Sequence, residues 1–414
     1  MSQSGVGINI LSNEVSMANP PSIDAYSRLR VCDPTMLFDA QNIYGIETLK
    51  LEAGATGTGV TPVHSASTRM IDLSCGAGSG TSFLQSYQYS PYQPGKSSLI
   101  LITGNMGAGV SGAVVDIGYF DADNGLIYRQ AGAGGLQFVR RTSTSGSVVE
   151  DVVPQASWNL DPMDGTGPLG IVLDPTTVFI LVIDLQYLGM GRIRFGFDIG
   201  GKIVYAHEFL NANVITVPIM QSASLPAGMQ VTATASVASK TAHFKCVAVI
   251  SEGGSKPGVG MSLSTPEGVA TAAGGSRTHL ISLRPRATFG GLVNRTCPSF
   301  KFLSLCVTGN NPVFWELCAG ATFTVGPSYV DVNTAHSSSE YGTGGTFSSL
   351  AGGIVLASGY VASKGAVRES LAFDYPFTLD RGGAVRALGT LSLLVTGVTG
   401  NSGVRASIEI EEIR

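Results

Sequence analysis

Two glycine clusters come close to nucleotide-binding fingerprints. "GAGVSG" (residues 107–112) has the G-x-G-x-x-G spacing, and Asp121 and Asp123 lie downstream. A dinucleotide site needs a helix opening at those glycines, because the amides of its first turn hold the pyrophosphate. The residues that follow, "AVVDIGYF", read as a strand, so the glycines read as a β-turn. "SPYQPGKSS" ends like a P-loop, but Ser90 stands where the first glycine belongs, and a strand follows the glycine where a helix should.

Acid–base and metal chemistry fare similarly. "DADNG" (residues 121–125) has two carboxylates two apart, as hard-cation loops do. Counted from Asp121, position twelve is Gly132, which offers no ligand, so a turn is preferred and Asp121 and Asp123 stay as the metal candidates. His207 and Glu208 are adjacent, and on a strand they face opposite sides. The other histidines, His64, His243, His279 and His336, are scattered, and no G-x-S-x-G elbow occurs. A Ser-His-Asp set built from distant strands would leave no local trace. The six cysteines (Cys32, Cys75, Cys246, Cys297, Cys306, Cys318) lack zinc spacing. Several sit in apolar runs such as "FKCVAVI" and read as buried free thiols made in a reducing cytosol. No catalytic residue and no cofactor are assigned, and the expectation is that the chain is not an enzyme.

The elements around these residues are strands. "AVVDIGYFDADNGLIYRQ" reads as strand, turn, strand about Asn124-Gly125, and "RIRFGFDIGGKIVYAHEF" alternates polar and apolar residues on both sides of Gly200-Gly201. Few stretches keep a helical period, so the expected fold is mainly β: two antiparallel β-sandwich, jelly-roll-like domains with an extended N-terminal arm. The expected boundaries are an arm over 1–40, a first sandwich over 41–253, a Gly/Ser/Pro-rich linker or loop over 254–276, and a second sandwich over 277–414. In the last strand Ile408, Ile410 and Ile413 sit among Glu409, Glu411 and Glu412, largely an edge-type alternation. The loop "SWNLDPMDGTGPLG" (residues 157–170) reads as a rigid crossover pinning one sheet to another. Its functional alternative is a surface loop that docks a partner through Trp158, the partner-binding candidate.

Composition narrows the partners. Charged residues make up 13% of 414 and glycine contributes 54, which suits short strands, many turns and a surface partly covered in an assembly. With a net charge of −4 and only short basic clusters, nucleic-acid binding is not expected. The first residues do not read as a secretory signal. The longest apolar run, "TTVFILVIDL", is too short to cross a membrane, so no membrane partner is expected.

Several strings taken together, "SRLRVCDPTMLFDAQNIYG", "YQPGKSSLILITGNMGAG", "IGYFDADNGLIY", "SWNLDPMDGTGP", "GRIRFGFDIGGKIVYAHEFLNAN", "LISLRPRATFGGLVNR" and "IEIEEIR", resemble a family of uncharacterised structural proteins of tailed bacteriophages. The resemblance runs in order from about residue 26 to the end and carries no catalytic residue. It implies a virion component assembled in the host cytoplasm. The expectation is a homo-oligomer, a trimer favoured, serving as a head-decoration, neck or tail-associated protein and binding other virion proteins such as capsid or tail subunits. The alternative is a head or tail fibre that binds a host glycan or receptor, which aromatics clustered in loops, such as Tyr329 and Tyr341, would support.

Overall fold

The computed structural model describes residues 8–11, 14–17, 23–26, 28–30, 33–133, 135–236, 238–254, 257–265, 270–370, 375 and 377–413. The chain divides into two compact units, Met1–Ser86 with Ser90–Lys256, and Tyr87–Tyr89 with Pro257–Arg414. Both are antiparallel β-sandwiches. Among the described residues there is no α-helix, only 3-10 turns at Gln155–Ser157 and Ala387–Gly389.

The first unit begins with a hairpin, β1 (Ile8–Leu11) and β2 (Glu14–Met17), followed by β3 (Pro34–Ala40). Next come the long pair β4 (Leu51–His64) and β5 (Ile71–Ser86), then β6 (Ser97–Asn105). One meander is β7 (Ala113–Phe120), β8 (Gly125–Ala131), β9 (Gly135–Thr142) and β10 (Val149–Pro154). A second is β11 (Phe179–Leu185), β12 (Ile193–Ile199) and β13 (Lys202–Phe209), and the unit ends with β14 (Ala227–Ser236) and β15 (Lys240–Glu252). All but the first hairpin join one sheet, ordered β10-β9-β8-β7-β14-β5-β15-β6-β11-β12-β13, with β3 on β15 and β4 on β5.

The sheet folds on itself because β5 serves both halves. Its first residues pair with β15 and its later ones with β14. Glycines sit at the change-over: a Cβ on Gly80 would lie 2.4 Å from the Thr58 amide nitrogen, so β4 and β5 approach each other more closely there than any side chain permits. The two meanders then meet face to face. Phe138 stacks on Phe195 with centroids 4.5 Å apart, and Tyr128 meets Phe197 edge-on at 5.1 Å.

The arm differs from its expected extent. Residues 34–40 form β3 within the sheet, and the chain just before is held by ions. Arg30 reaches Asp184 at 2.6 Å and Glu252 at 2.8 Å. Asp184, fully buried, also takes Arg194 and the Tyr205 hydroxyl, the latter at 2.8 Å. Asp24 pairs with Arg28, and Ser97 donates to Glu252. A buried carboxylate needs such partners, so Asp24, Arg28 and Arg30 tie this stretch to its own sheet. The expected arm before them falls largely outside the described residues, as does Cys32.

In the second unit the strands are β16 (Val259–Ser264), β17 (Ala270–Ala272), β18 (Thr278–Pro285), β19 (Thr288–Phe289), β20 (Leu292–Val293), β21 (Ser299–Val307) and β22 (Val313–Ala319). Then follow β23 (Thr322–Val325), β24 (Ser328–Asp331), β25 (Ser339–Thr343), β26 (Thr346–Ser349), β27 (Ile354–Val361), β28 (Ala366–Ser370), β29 (Leu391–Gly397) and β30 (Ser402–Glu412). One sheet is β16-β30-β21-β28 with β17 on β30, and the other is β24-β25-β18-β29-β22-β27. Between them pack Leu303, Leu305, Ile408 and Ile410 from the first and Leu283, Trp315, Leu317 and Leu393 from the second.

Two sequence readings change here. The 254–276 stretch is not only linker, since β16 and β17 within it both pair with β30. β30 is interior, not an edge, because β21 pairs on its other side. Glu412 points inward, is 1% exposed, and accepts the Ser337 and Ser339 hydroxyls at 2.8 Å and the Ser338 amide at 3.0 Å. Those donors allow a carboxylate to stand on the core side.

Two stability predictions follow from the buried polar groups. Arg30→Ala leaves Asp184 short of a partner, and urea unfolding of the first unit should show a loss of roughly 3–5 kcal/mol. Burial pushes both His207 and His279 down to about 4 from the ordinary 6.5. The unfolded chain then takes up protons that the fold refuses, so stability falls as pH drops from 6.5 towards 4, by on the order of 2 kcal/mol per histidine. In a urea-midpoint series against pH, His279→Gln should flatten the second unit's share of that loss.

Candidate functional site

Most residues singled out in the sequence are occupied by structure. Trp158 is 4% exposed, stacks on Phe138 at 4.1 Å and donates its indole N–H to the Val153 carbonyl at 3.3 Å. It cannot anchor a partner, and the crossover reading of its loop describes what is seen. The Leu160 and Asp161 amides both donate to the Ala206 carbonyl, and Asn159 exchanges two 2.9 Å hydrogen bonds with the Glu208 backbone. The loop after β10 therefore binds the open edge of β13. Asp161 is buried and accepts the Met163 and Leu169 amides. Gly167 is required beside it, because a Cβ there would lie 2.0 Å from Asp161 Oδ1.

Of the metal candidates, Asp121 is engaged in its own turn and Asp123 is exposed. Asp121 Oδ1 accepts the amides of Asp123 and Asn124 at 2.9 and 2.8 Å, capping the β7–β8 hairpin. Among the described residues no group of three or more His, Cys, Asp or Glu side chains could hold a metal ion. The "GAGVSG" segment links two strands, and Lys240 Nζ binds the Met106 and Ala108 carbonyls and Gln130 beneath it. Lys96 donates to Gln93 and to the Gly254 carbonyl.

The histidines form pairs that the sequence could not show. His243 Nδ1 lies 2.7 Å from Asp72, and among the described residues no serine hydroxyl completes that pair. His279 Nε2 lies 2.8 Å from the Ser282 hydroxyl, itself linked to Ser392, but all three are buried. Tyr329 and Tyr341 do not cluster. Tyr341 pairs with Val330 and packs on the core, whereas Tyr329 faces the other side of the sheet with Arg284 lying 3.5 Å over its ring.

In the second unit the outer face of β16-β30-β21-β28 is open. A shallow cleft of about 550 Å³ lies there, with a second of about 380 Å³ beside it. The alternation of β30 turns Arg405, Ser407, Glu409 and Glu411 outward and Val404, Ala406, Ile408 and Ile410 inward. Register then builds rows across the four strands. One row is Ser264, Ser407, Ser304 and Arg368; the next is Ser262, Glu409, Phe302 and Ser370. Arg405 stands opposite Cys306, an exposed free thiol.

The charges on this face are largely paired. Arg368 bridges both Glu409 oxygens at 3.0 and 3.1 Å while lying 4.5 Å over the Phe302 ring. Lys301 meets Glu411 at 2.5 Å and holds its carboxyl below the usual range. Glu411 is thus kept as an anion, an acceptor and not a proton donor. Hydroxyls repeat about 4.8 Å apart across the strands and about 6.8 Å along them. The face can hydrogen-bond an extended ligand rich in hydroxyls and present an aromatic ring edge beside it.

No family model matches the chain, and no curated protein matches it in sequence. Solved structures do match it at low identity. A glycosyl hydrolase family protein from Mycobacterium fortuitum is 12% identical, covering 52% of this chain and 99% of its own, with a TM-score of 0.34. A structure described under endo-acting O-glycanases of human gut microbiota is 10% identical over 52% of this chain and 99% of its own, TM-score 0.36. The CBM2 module of the evolved Dit of Lactobacillus casei BL23 phage J-1 is 9% identical over 53% and 96%, TM-score 0.32. Five of the matching structures are named as glycosyl hydrolases or glucanases, and against that finding the expectation that the chain is not an enzyme is withdrawn. At such identities no residue's role carries across.

The groove was missed in the sequence, although "SIEIEE" and "FLSLCV" alternate visibly, because its four strands are far apart in the chain. Trp158, by contrast, lies in the loop read as a crossover, and its ring packs inward on Phe138. Trp158→Ala should lower the first unit's unfolding free energy by about 3–5 kcal/mol, measured by denaturant, as removal of a core aromatic does.

Proposed function

We propose that this chain is a structural protein of a tailed-phage particle, assembled as a homo-oligomer, which binds host glycan through the outer face of β16-β30-β21-β28. The observation that carries the binding part is the open groove with its row of Ser264, Ser407 and Ser304 beside Phe302, Arg368 and Arg405. Sugar hydroxyls need donors and acceptors held in fixed positions, together with apolar surface for the C–H faces of the ring. A β-sheet supplies both without loop ordering, so less conformational entropy is lost on binding. The virion part is supported by the ordered resemblance from about residue 26 onward, and by a surface poor in charge that suits burial against other subunits.

Ser304 is half-exposed and points away from the core, so Ser304→Trp fills the groove while sparing the fold. On an array of host-surface saccharides the wild-type protein should bind a defined subset. The variant should bind the same subset at least tenfold more weakly, with an unchanged melting temperature. Equal binding by the two proteins, or none by either, removes the glycan reading. Immunogold labelling of intact particles tests the virion reading separately.

A further inference from the structure

We infer that the groove selects an anionic chain, a saccharide or polyol polymer carrying phosphate or carboxylate groups, and that Arg405 reads the charge. This rests on the glycan-binding reading and specifies its ligand. Among the described residues five charged side chains turn outward there: Lys301, Arg368, Arg405, Glu409 and Glu411. Arg368 is neutralised by Glu409, and Lys301 by Glu411. Arg405 has no ion-pair partner among the described residues and is exposed.

Among the described residues the face thus carries one uncompensated positive charge, on a chain whose net charge is −4. That charge is a guanidinium, whose planar fork of donors matches two oxygens of a phosphate or carboxylate at once. It stands two residues along β30 from Ser407, on the same face, and Ser407 lies opposite Ser304; their hydroxyls can bind the same anion or the adjoining ring. Among the described residues no carboxylate lies in its row: Arg405 pairs across to Cys306, and Cys306 to Ala366. An anionic group seated there meets a cation and small neutral neighbours. A neutral chain would leave the guanidinium with solvent only.

Three probes test this with the full chain: a poly(glycerol phosphate), a carboxylate-bearing oligosaccharide and a neutral oligosaccharide of similar length. Affinity is measured calorimetrically at low and high salt. Occupancy of the groove is read independently as protection of Cys306 from iodoacetamide, located by peptide mass. The wild-type protein should bind at least one charged probe tenfold or more tightly than the neutral one. That preference should shrink with salt, because the contact is solvent-exposed. Arg405→Gln should collapse the charged-to-neutral ratio at least tenfold, and Arg405→Lys should restore part of it. Which charged probe wins distinguishes a phosphate polymer from an acidic sugar.

A charged-to-neutral ratio near one, or a ratio unaltered by Arg405→Gln, overturns the inference. If Ser304→Trp still abolishes binding and Cys306 protection in that case, the glycan reading survives alone. If no probe binds or protects Cys306, both fall.

Discussion

The first unit depends on the joining of its two sheet ends. β10 and β13 are the first and last strands of an eleven-strand path, and each would otherwise present a free edge. Residues 159–161 remove the problem at β13 by hydrogen-bonding its backbone at Ala206 and Glu208. The same few residues place Trp158 against Phe138, so that closing the edge and completing the aromatic core are one event. His207 is caught in this arrangement, its ring between Phe138 and Phe209 and its Nδ1 accepting the Asn159 amide. Its neutrality is a consequence of the closure.

The second unit solves a different problem. Its interior strand β30 carries three glutamates in four residues, an unusual load for a central strand. Two face outward and are neutralised by Lys301 and Arg368, which shapes the groove's floor. The third faces inward and is accepted because three consecutive serines at 337–339 converge on it. The groove is flat and well fixed because the strand beneath it is paired on both sides.

Much of the fold was legible in the sequence where local signals suffice. The Asn124-Gly125 turn and the Gly200-Gly201 turn both join paired strands, β7 to β8 and β12 to β13. The alternation of β30 was also visible, but whether a strand is central or at an edge is decided by partners distant in sequence. The 254–276 stretch misled through composition. Its serines at 262 and 264 face solvent while Met261 and Leu263 pack inward, so polarity on one side masked a strand. Trp158 shows the limit from the other direction: its residue type signals an anchor, but only tertiary structure shows that it is anchored inward. The groove was the least legible feature, since Ser264, Ser304, Arg368 and Ser407 become neighbours only through register.

That long-range register also affects how the second unit forms. Thr265 and Ala406, which hydrogen-bond to each other, are 141 residues apart. Hairpins such as β24–β25 can zip early, but they remain without a facing sheet until β30 has found β16 and β21. Closing so large a loop before its contacts are rewarded makes this the slow step of a β-sandwich. The time this unit spends with unpaired strands is therefore set by the search for one pairing, and not by the strength of the finished core.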